Sequence, residues 1–280
     1  ELVEDEAIRG DFMLRWAVVL LAFLTACTEI AESRTLVHVK TGQYLAANGV
    51  LPPRTDVFSY TAADRPWINT SWLFDLVAAG VFAVAGAVGL TLLKALLAGA
   101  TFALVVHTSR SGVSTWWGSI CATLAILVCL SQFHVLPEMV TMLGVAAQLW
   151  LLYQWREKRE SRSLWLLVPL MLVWGNFDPR MFVGLALLVL YAAGTSVGRL
   201  FGRSSATSRA ELTGLWTVVG ACVAAALVNP FGWHTLTAPL TLYGVEYPAL
   251  RALAGDTAAA DQLGVYPMVS AAFWNSFSTG

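Results

Sequence analysis

Ionisable side chains are scarce in this chain, and those with candidate chemistry fall in two places. Glu29, Glu32, Arg34, His38, Lys40, Asp56, Asp64 and Arg65 share the polar stretch 29–71, while Glu138, Asp178, Arg180 and His234, with Asn229, punctuate the apolar sequence that follows. A positioned carboxylate can take a proton from a weak nucleophile such as a hydroxyl, and a guanidinium pairs well with a phosphate. The residue types therefore suit acid–base chemistry beside a bound anion, provided that the fold brings them together.

The elements that must position them are set by composition. With 57% hydrophobic and 12% charged residues and a mean hydropathy of +0.65, the chain is far more apolar than a soluble domain, where about 25% of residues are charged. This composition predicts an all-α polytopic membrane protein, since a hydrocarbon core about 30 Å thick demands about 20 apolar residues per helix and leaves no water for unpaired backbone groups. Strand-like alternation is absent, which argues against a barrel.

Apolar runs poor in charge place seven transmembrane helices at Phe12–Thr28, Gly86–His107, Thr115–Ser131, Pro137–Trp155, Ser163–Gly175, Met181–Val197 and Leu212–Val228. Trp72–Ala85 is apolar but short and contains Asp75, so it reads as an interfacial helix leading into the second span. In this seven-span topology the loops bearing Arg110, then Arg156, Lys158, Arg159 and Arg162, then Arg199, Arg203 and Arg209, share one side. The positive-inside rule makes that side cytoplasmic, together with the N-terminus, and leaves 29–71 as a long outer loop and 230–280 as an outer tail.

Cys27, Cys121, Cys129 and Cys222 lie in separate apolar runs, where a disulfide framework or zinc site is not expected. Leu24-Thr25-Ala26-Cys27 also resembles a lipoprotein cleavage box, but cleavage there would remove the first helix. The sequence starts without Met and stops soon after the seventh expected span, as a piece of a longer protein would. No internal repeat stands out. Basic residues are scattered through short loops, so nucleic acid is not an expected partner.

Within the outer loop, Val37–Gly49 reads as a short amphipathic helix stopped by Asn48-Gly49, and Leu51–Asp56 is extended because Pro52 and Pro53 disfavour helix. Asp64-Arg65-Pro66-Trp67 reads as a turn that sets a tryptophan at the interface.

Here the chain resembles the bacterial members of the GT-C glycosyltransferase superfamily, whose first outer loop runs roughly D-x-D, W-H-L-x-T-G, P-x-T-D-x-F-S-Y-T, G-x-P-W and H-x-W-L. The similar stretches are His38-Val39-Lys40-Thr41-Gly42, Pro53 to Thr61, Asp64-Arg65-Pro66-Trp67 and Ser71-Trp72-Leu73. Later, Trp174-Gly175-Asn176 and Val228-Asn229-Pro230-Phe231-Gly232-Trp233 resemble the W-x-N and N-P-Y-G-W turns of the same group. The resemblance implies transfer of a sugar from a polyprenyl-phosphate carrier to an acceptor at the outer membrane face. It also implies a carboxylate after the first span as general base or acceptor-orienting group, with basic residues on the lipid phosphate. Catalytic roles then fall to Glu32 and Asp178, and substrate binding to Arg34, His38, Asp56, Arg65, Trp67, Glu138, Arg180 and His234. Partners implied are membrane lipid, the polyprenyl-phosphate sugar donor and, for a non-catalytic relative, a protein complex. A divalent metal is not supported by the residues.

The chain departs from the pattern at four polar positions. Glu32-Ser33-Arg34 stands where D-x-D is expected, Thr70 or Ser71 replaces a histidine before Trp72, and Leu136-Pro137 and Asp178-Pro179 replace Arg-Pro and His-Gly. These changes keep open the alternative of a catalytically inactive relative that binds lipid or serves a membrane complex. A transporter, the third class, would place charges near the midplane of paired repeats.

Each residue also has a plainer role. Glu32 could simply be solvated at a helix end, Arg34 a membrane-edge anchor and His38 a hydrogen-bonded loop histidine. Asp56 suits a turn cap, Asp178 and Arg180 a structural ion pair, and Glu138 the positive end of a helix dipole. Trp67 and Trp72 are interfacial anchors that could also stack on a sugar, and Lys94 lies inside a span without an evident partner.

Overall fold

The computed structural model describes residues 2–58, 67–108, 114–158, 161–201 and 208–236. Asp64, Arg65, Arg110, Arg159, Arg203 and residues 237–280 of the tail lie outside them. Over the described residues the fold is all-α. Its helices are α1 (Leu2–Ala26), α2 (Arg34–Asn48), α3 (Trp72–His107), α4 (Thr115–Cys129), α5 (Glu138–Lys158), α6 (Ser161–Trp165), α7 (Leu167–Phe177), α8 (Met181–Leu200) and α9 (Arg209–Ala226). A 3-10 turn, Leu130–Gln132, extends α4.

The helix expected within the outer loop is α2. It begins three residues before Val37 and is closed by Gly49, whose φ of 110° lies where only glycine is at ease. The expected join between Trp72–Ala85 and Gly86–His107 falls on a break inside α3, where Gly86 adopts φ 58° and ψ −147°. With that break, a 36-residue helix of about 54 Å becomes two arms that can take different directions.

Three segments are long and apolar enough to cross a membrane: α3, Thr115–Gln132 and α8. Val84, Val88, Leu96, Val128, Leu190 and Leu200 stand exposed on them, as lipid-facing side chains do. The chain is therefore a helical membrane protein.

Seven such helices were expected, and the described residues supply three for identifiable reasons. α1 carries Arg9, Asp11 and Arg15 in its first two-thirds, α5 is interrupted by Gln148 and Gln154, and α9 opens with Arg209 and Glu211. The expected span Ser163–Gly175 is divided at Leu166 into α6 and the 11-residue α7.

Packing follows residue size. α1 and the second arm of α3 meet through Ala22, Ala26, Ala95 and Ala98, all fully buried, which lets the backbones approach closely. Lys94 finds the partner the sequence could not supply: its buried Nζ donates to the carbonyl and the hydroxyl of Thr28, 3.0 Å each, at the negative end of the α1 dipole. A second core gathers α5, α7, α8 and α9 around Trp174 and Met171.

A small third core joins Val39 of α2 to Phe74 and Ala78 of α3 and to Val135, with Phe177 against it. Thr35 Oγ1 donates to the Val135 carbonyl (3.2 Å), fixing α2 over the start of α5. Gly42 makes the close approach to α3 possible, because a Cβ there would collide with the Asp75 carbonyl and lie 2.7 Å from Ala79 Cβ. Gly42→Ala is expected to destabilise the protein by about 1–3 kcal/mol through overpacking against backbone. Denaturant midpoints in detergent test this, and an unchanged midpoint would show that the two helices are not tightly engaged.

Candidate functional site

Five of the sequence-predicted residues form a chain of ion pairs at one end of the bundle. Glu32 leaves the link after α1, and its Oε1 accepts from Arg34 Nε at 3.0 Å at the start of α2. Arg34 Nη1 lies 3.9 Å from Oε1 of Glu138, the first residue of α5, and Arg180 Nη2 reaches the same oxygen at 3.0 Å. Arg180 Nη1 is 3.4 Å from Asp178 Oδ1, the two flanking Pro179 in the link from α7 to α8. Carboxylates and guanidinium groups thus alternate Glu32, Arg34, Glu138, Arg180, Asp178, arriving from three separate parts of the sequence.

The two ends differ in environment. Glu32 is open to solvent, and the hydrogen bond from Arg34 holds its carboxyl below the usual carboxylate range. Asp178 is fully buried. Burial pushes its carboxyl up, against the opposing pull of Arg180, of the Thr141 hydroxyl (2.6 Å to Oδ2) and of the Arg180 backbone amide (3.1 Å to Oδ1). Asp178 is thus closed to solvent, with Oδ1 facing Arg180. Glu138 also has its plainer role, at the N-terminus of α5 where a helix dipole favours an anion, and its Oε2 is buried without a hydrogen-bond partner among the described residues.

The inner end rests on Trp174. Its Nε1 donates to Thr141 Oγ1 (2.8 Å), and its ring lies against two glycines, since a Cβ on Gly144 or Gly184 would come within 2.6 or 2.5 Å of ring atoms. Asn176 links this region to two others. Its Oδ1 accepts from Trp72 Nε1 (3.1 Å), and its Nδ2 donates to the Val228 carbonyl (3.0 Å). The Asn229-Pro230 turn beyond is tied by Asn229 Oδ1, which accepts from the Phe231 amide and the Thr235 hydroxyl.

His38 belongs to a second constellation that the sequence did not disclose. Its Nδ1 lies 2.5 Å from Oδ1 of Asp75, which is almost fully buried on α3, and Asn69 Nδ2 donates to Asp75 Oδ2 at 2.6 Å. Phe74 meets the imidazole edge-on at 5.4 Å between centroids. Asp75 was legible only as a charge inside an apolar run, and Asn69 and Thr141 carried no signal at all. The bonds of Asp75 to His38 and of Thr141 to Asp178 each join residues 37 apart, so they are set by tertiary packing.

Two cavities accompany these groups. One, of about 370 Å³, has Glu32 and Ser33 at its polar rim and Ile30, Leu36, Phe82 and Leu90 on apolar walls, next to the Gly86 break. The other, of about 340 Å³, is lined by Arg54, Trp67, Ile68, Pro230, Phe231 and His234. Trp67 and His234 are therefore brought together in a lining that includes no residue of the ion chain, and the His234 ring lies 3.9 Å from that of Trp233. Asp56 accepts from the Phe58 amide at 2.8 Å, as a turn-capping residue does. Among the described residues no group of three or more His, Cys, Asp or Glu could hold a metal ion.

No family model, curated protein or solved structure matches the chain.

Proposed function

We propose that the protein is a GT-C-like glycosyltransferase of the bacterial cytoplasmic membrane, moving a sugar from a polyprenyl-phosphate carrier to a hydroxyl acceptor at the outer face. The observation that carries this reading is the junction at Glu32, where the alternating ion chain meets a cavity with apolar walls. An isoprenoid tail suits the walls formed by Ile30, Phe82 and Leu90, and a phosphate suits Arg34 and Arg180, whose planar donors match phosphate oxygens. The orientation, with the N-terminus cytoplasmic and 29–71 outside, comes from the distribution of arginine and lysine among the loops.

In this reaction the acceptor oxygen bonds to the anomeric carbon while the bond from that carbon to the phosphate oxygen breaks, its electron pair leaving with the lipid phosphate. Arg34 and Arg180 stabilise the leaving charge. Glu32, kept ionised by Arg34, orients the acceptor hydroxyl by accepting its hydrogen bond.

The test is transfer from a panel of polyprenyl-phosphate-linked hexoses and pentoses in reconstituted vesicles. Glu32→Gln is expected to slow transfer by roughly 10²-fold at unchanged melting temperature. Full activity in that variant would remove Glu32 from the mechanism.

The mutual pairing of Glu32, Arg34, Glu138, Arg180 and Asp178 favours a second reading, a non-catalytic relative that binds the same lipid. It predicts saturable donor binding with no turnover from any donor.

A further inference from the structure

Glycosyl transfer to a hydroxyl releases a proton, and neither carboxylate first considered is suited to take it. Glu32 is held ionised below the carboxylate range by Arg34, so it is a weak base, and Asp178 is closed to solvent. We propose that His38, held by Asp75 and Asn69, is the general base of this site. The inference rests on the transferase reading above and names the proton acceptor that reading lacks.

Three observations carry it. First, the tautomer is set by the hydrogen-bond inventory. A carboxylate only accepts, and that of Asp75 already accepts from Asn69, so in the neutral imidazole the bond to His38 puts the proton on Nδ1 and leaves Nε2 with its lone pair. Second, Nε2 has no hydrogen-bond partner among the described residues, and the His38 side chain is 23% exposed while that of Asp75 is 2% exposed. A buried carboxylate behind an accessible imidazole is the arrangement that holds a base in register and stabilises the imidazolium it becomes. Third, His38 and Arg34 are four residues apart on α2, which places them on one face about 5–6 Å apart at Cβ. The imidazole is thus one helical turn from the arginine proposed to hold the phosphate.

The step balances as follows. The acceptor O–H proton passes to Nε2, the oxygen forms the new bond to the anomeric carbon, and the electron pair of the broken bond leaves on the lipid phosphate. The imidazolium is paired with Asp75, a positioning residue, until it loses the proton to water. Of the surrounding charged groups, Asp75 on α3 contacts the imidazole, Arg34 and Lys40 share its helix, and Glu138 at the start of α5 pairs with Arg34.

The experiment uses the full chain in lipid nanodiscs with the same donor panel. His38→Gln, whose amide can still donate to Asp75, is expected to slow transfer by roughly 10²–10⁴-fold and to abolish the acid limb of the pH–rate profile. Glu32→Gln slows transfer but keeps that limb. Asp75→Asn is expected to lower the rate and to shift the His38 proton from Nδ1 to Nε2. Ring-nitrogen NMR on [15N]histidine-labelled protein reads that shift, with His38 assigned by its loss in the Gln variant. Transfer at the wild-type rate with an intact acid limb in His38→Gln overturns the inference and leaves the transferase reading standing. A wild-type His38 protonated on Nε2 also overturns it, by a measurement that does not depend on transfer activity. If the wild type transfers sugar from no donor in the panel, the transferase reading fails and the base falls with it.

Discussion

Replacing Arg180 with alanine is expected to destabilise the protein by about 3–5 kcal/mol, because it strands a buried carboxylate. Asp178 is fully buried, and Arg180 is the only cation within ion-pair distance of it among the described residues. The same change takes from Glu138 its closer cation, leaving Arg34 at 3.9 Å. The loss should depend on pH, and its sign follows from Asp178. Burial already raises its folded-state pKa above the unfolded value. Between the two values the folded protein binds the extra proton, so this group favours folding at low pH and loses that contribution as pH rises through the folded value. Without Arg180, which pulls the value down, the folded pKa rises further. The stability gap between wild type and Arg180→Ala should therefore be widest at neutral pH and shrink on acidification, once a protonated Asp178 needs no cation. Denaturant titrations across the acidic range measure it. A gap that is constant with pH would show that Asp178 is not the stranded charge. Arg180→Lys keeps the charge without the planar fork and should fall between the two.

Much of the helical framework was legible because apolar runs and their breakers are local signals. Asn48-Gly49 stopped α2 where expected, and the change at Ala85–Gly86 from a short segment bearing Asp75 to a longer apolar run marked the break in α3. The count of membrane-spanning helices was less legible. An apolar run such as Ser163–Gly175 reads as one unit in sequence, whereas the chain divides it at Leu166. Site residues divide in the same way. Glu32, Arg34, Glu138, Asp178 and Arg180 stood out because charge is costly beside lipid. What could not be read was their order along the ion chain, since Glu138 and Arg180 meet only because the start of α5 and the link before α8 reach the same end of the bundle. His38 and Asp75 are 37 residues apart in different helices, and their bond depends on a single glycine letting α2 lie close to α3.

The residue that ties scaffold to site most directly is Trp174, and Trp174→Ala is expected to cost about 3–5 kcal/mol. The ring is almost completely buried where α5, α7 and α8 meet, and its Nε1–H is bonded to the Thr141 hydroxyl that in turn donates to Asp178. Truncation opens a cavity and also leaves Thr141 without the donor that orients it, so Arg180 loses part of the support behind its carboxylate. Trp174→Phe separates the two effects, retaining most of the volume but not the N–H, and should cost about 1–3 kcal/mol from the hydrogen bond and repacking. A double-mutant cycle with Gly144 sharpens the test. In the wild type Gly144→Ala drives a Cβ to within 2.6 Å of the indole and should destabilise. Beside Trp174→Ala the same methyl enters empty space, and alanine is the better helix former by about 1 kcal/mol, so the sign of its effect should reverse. Unfolding midpoints of the four proteins decide it. Additive effects would mean that the indole does not fill the space between α5 and α8, and the support it gives Asp178 would have to come from elsewhere.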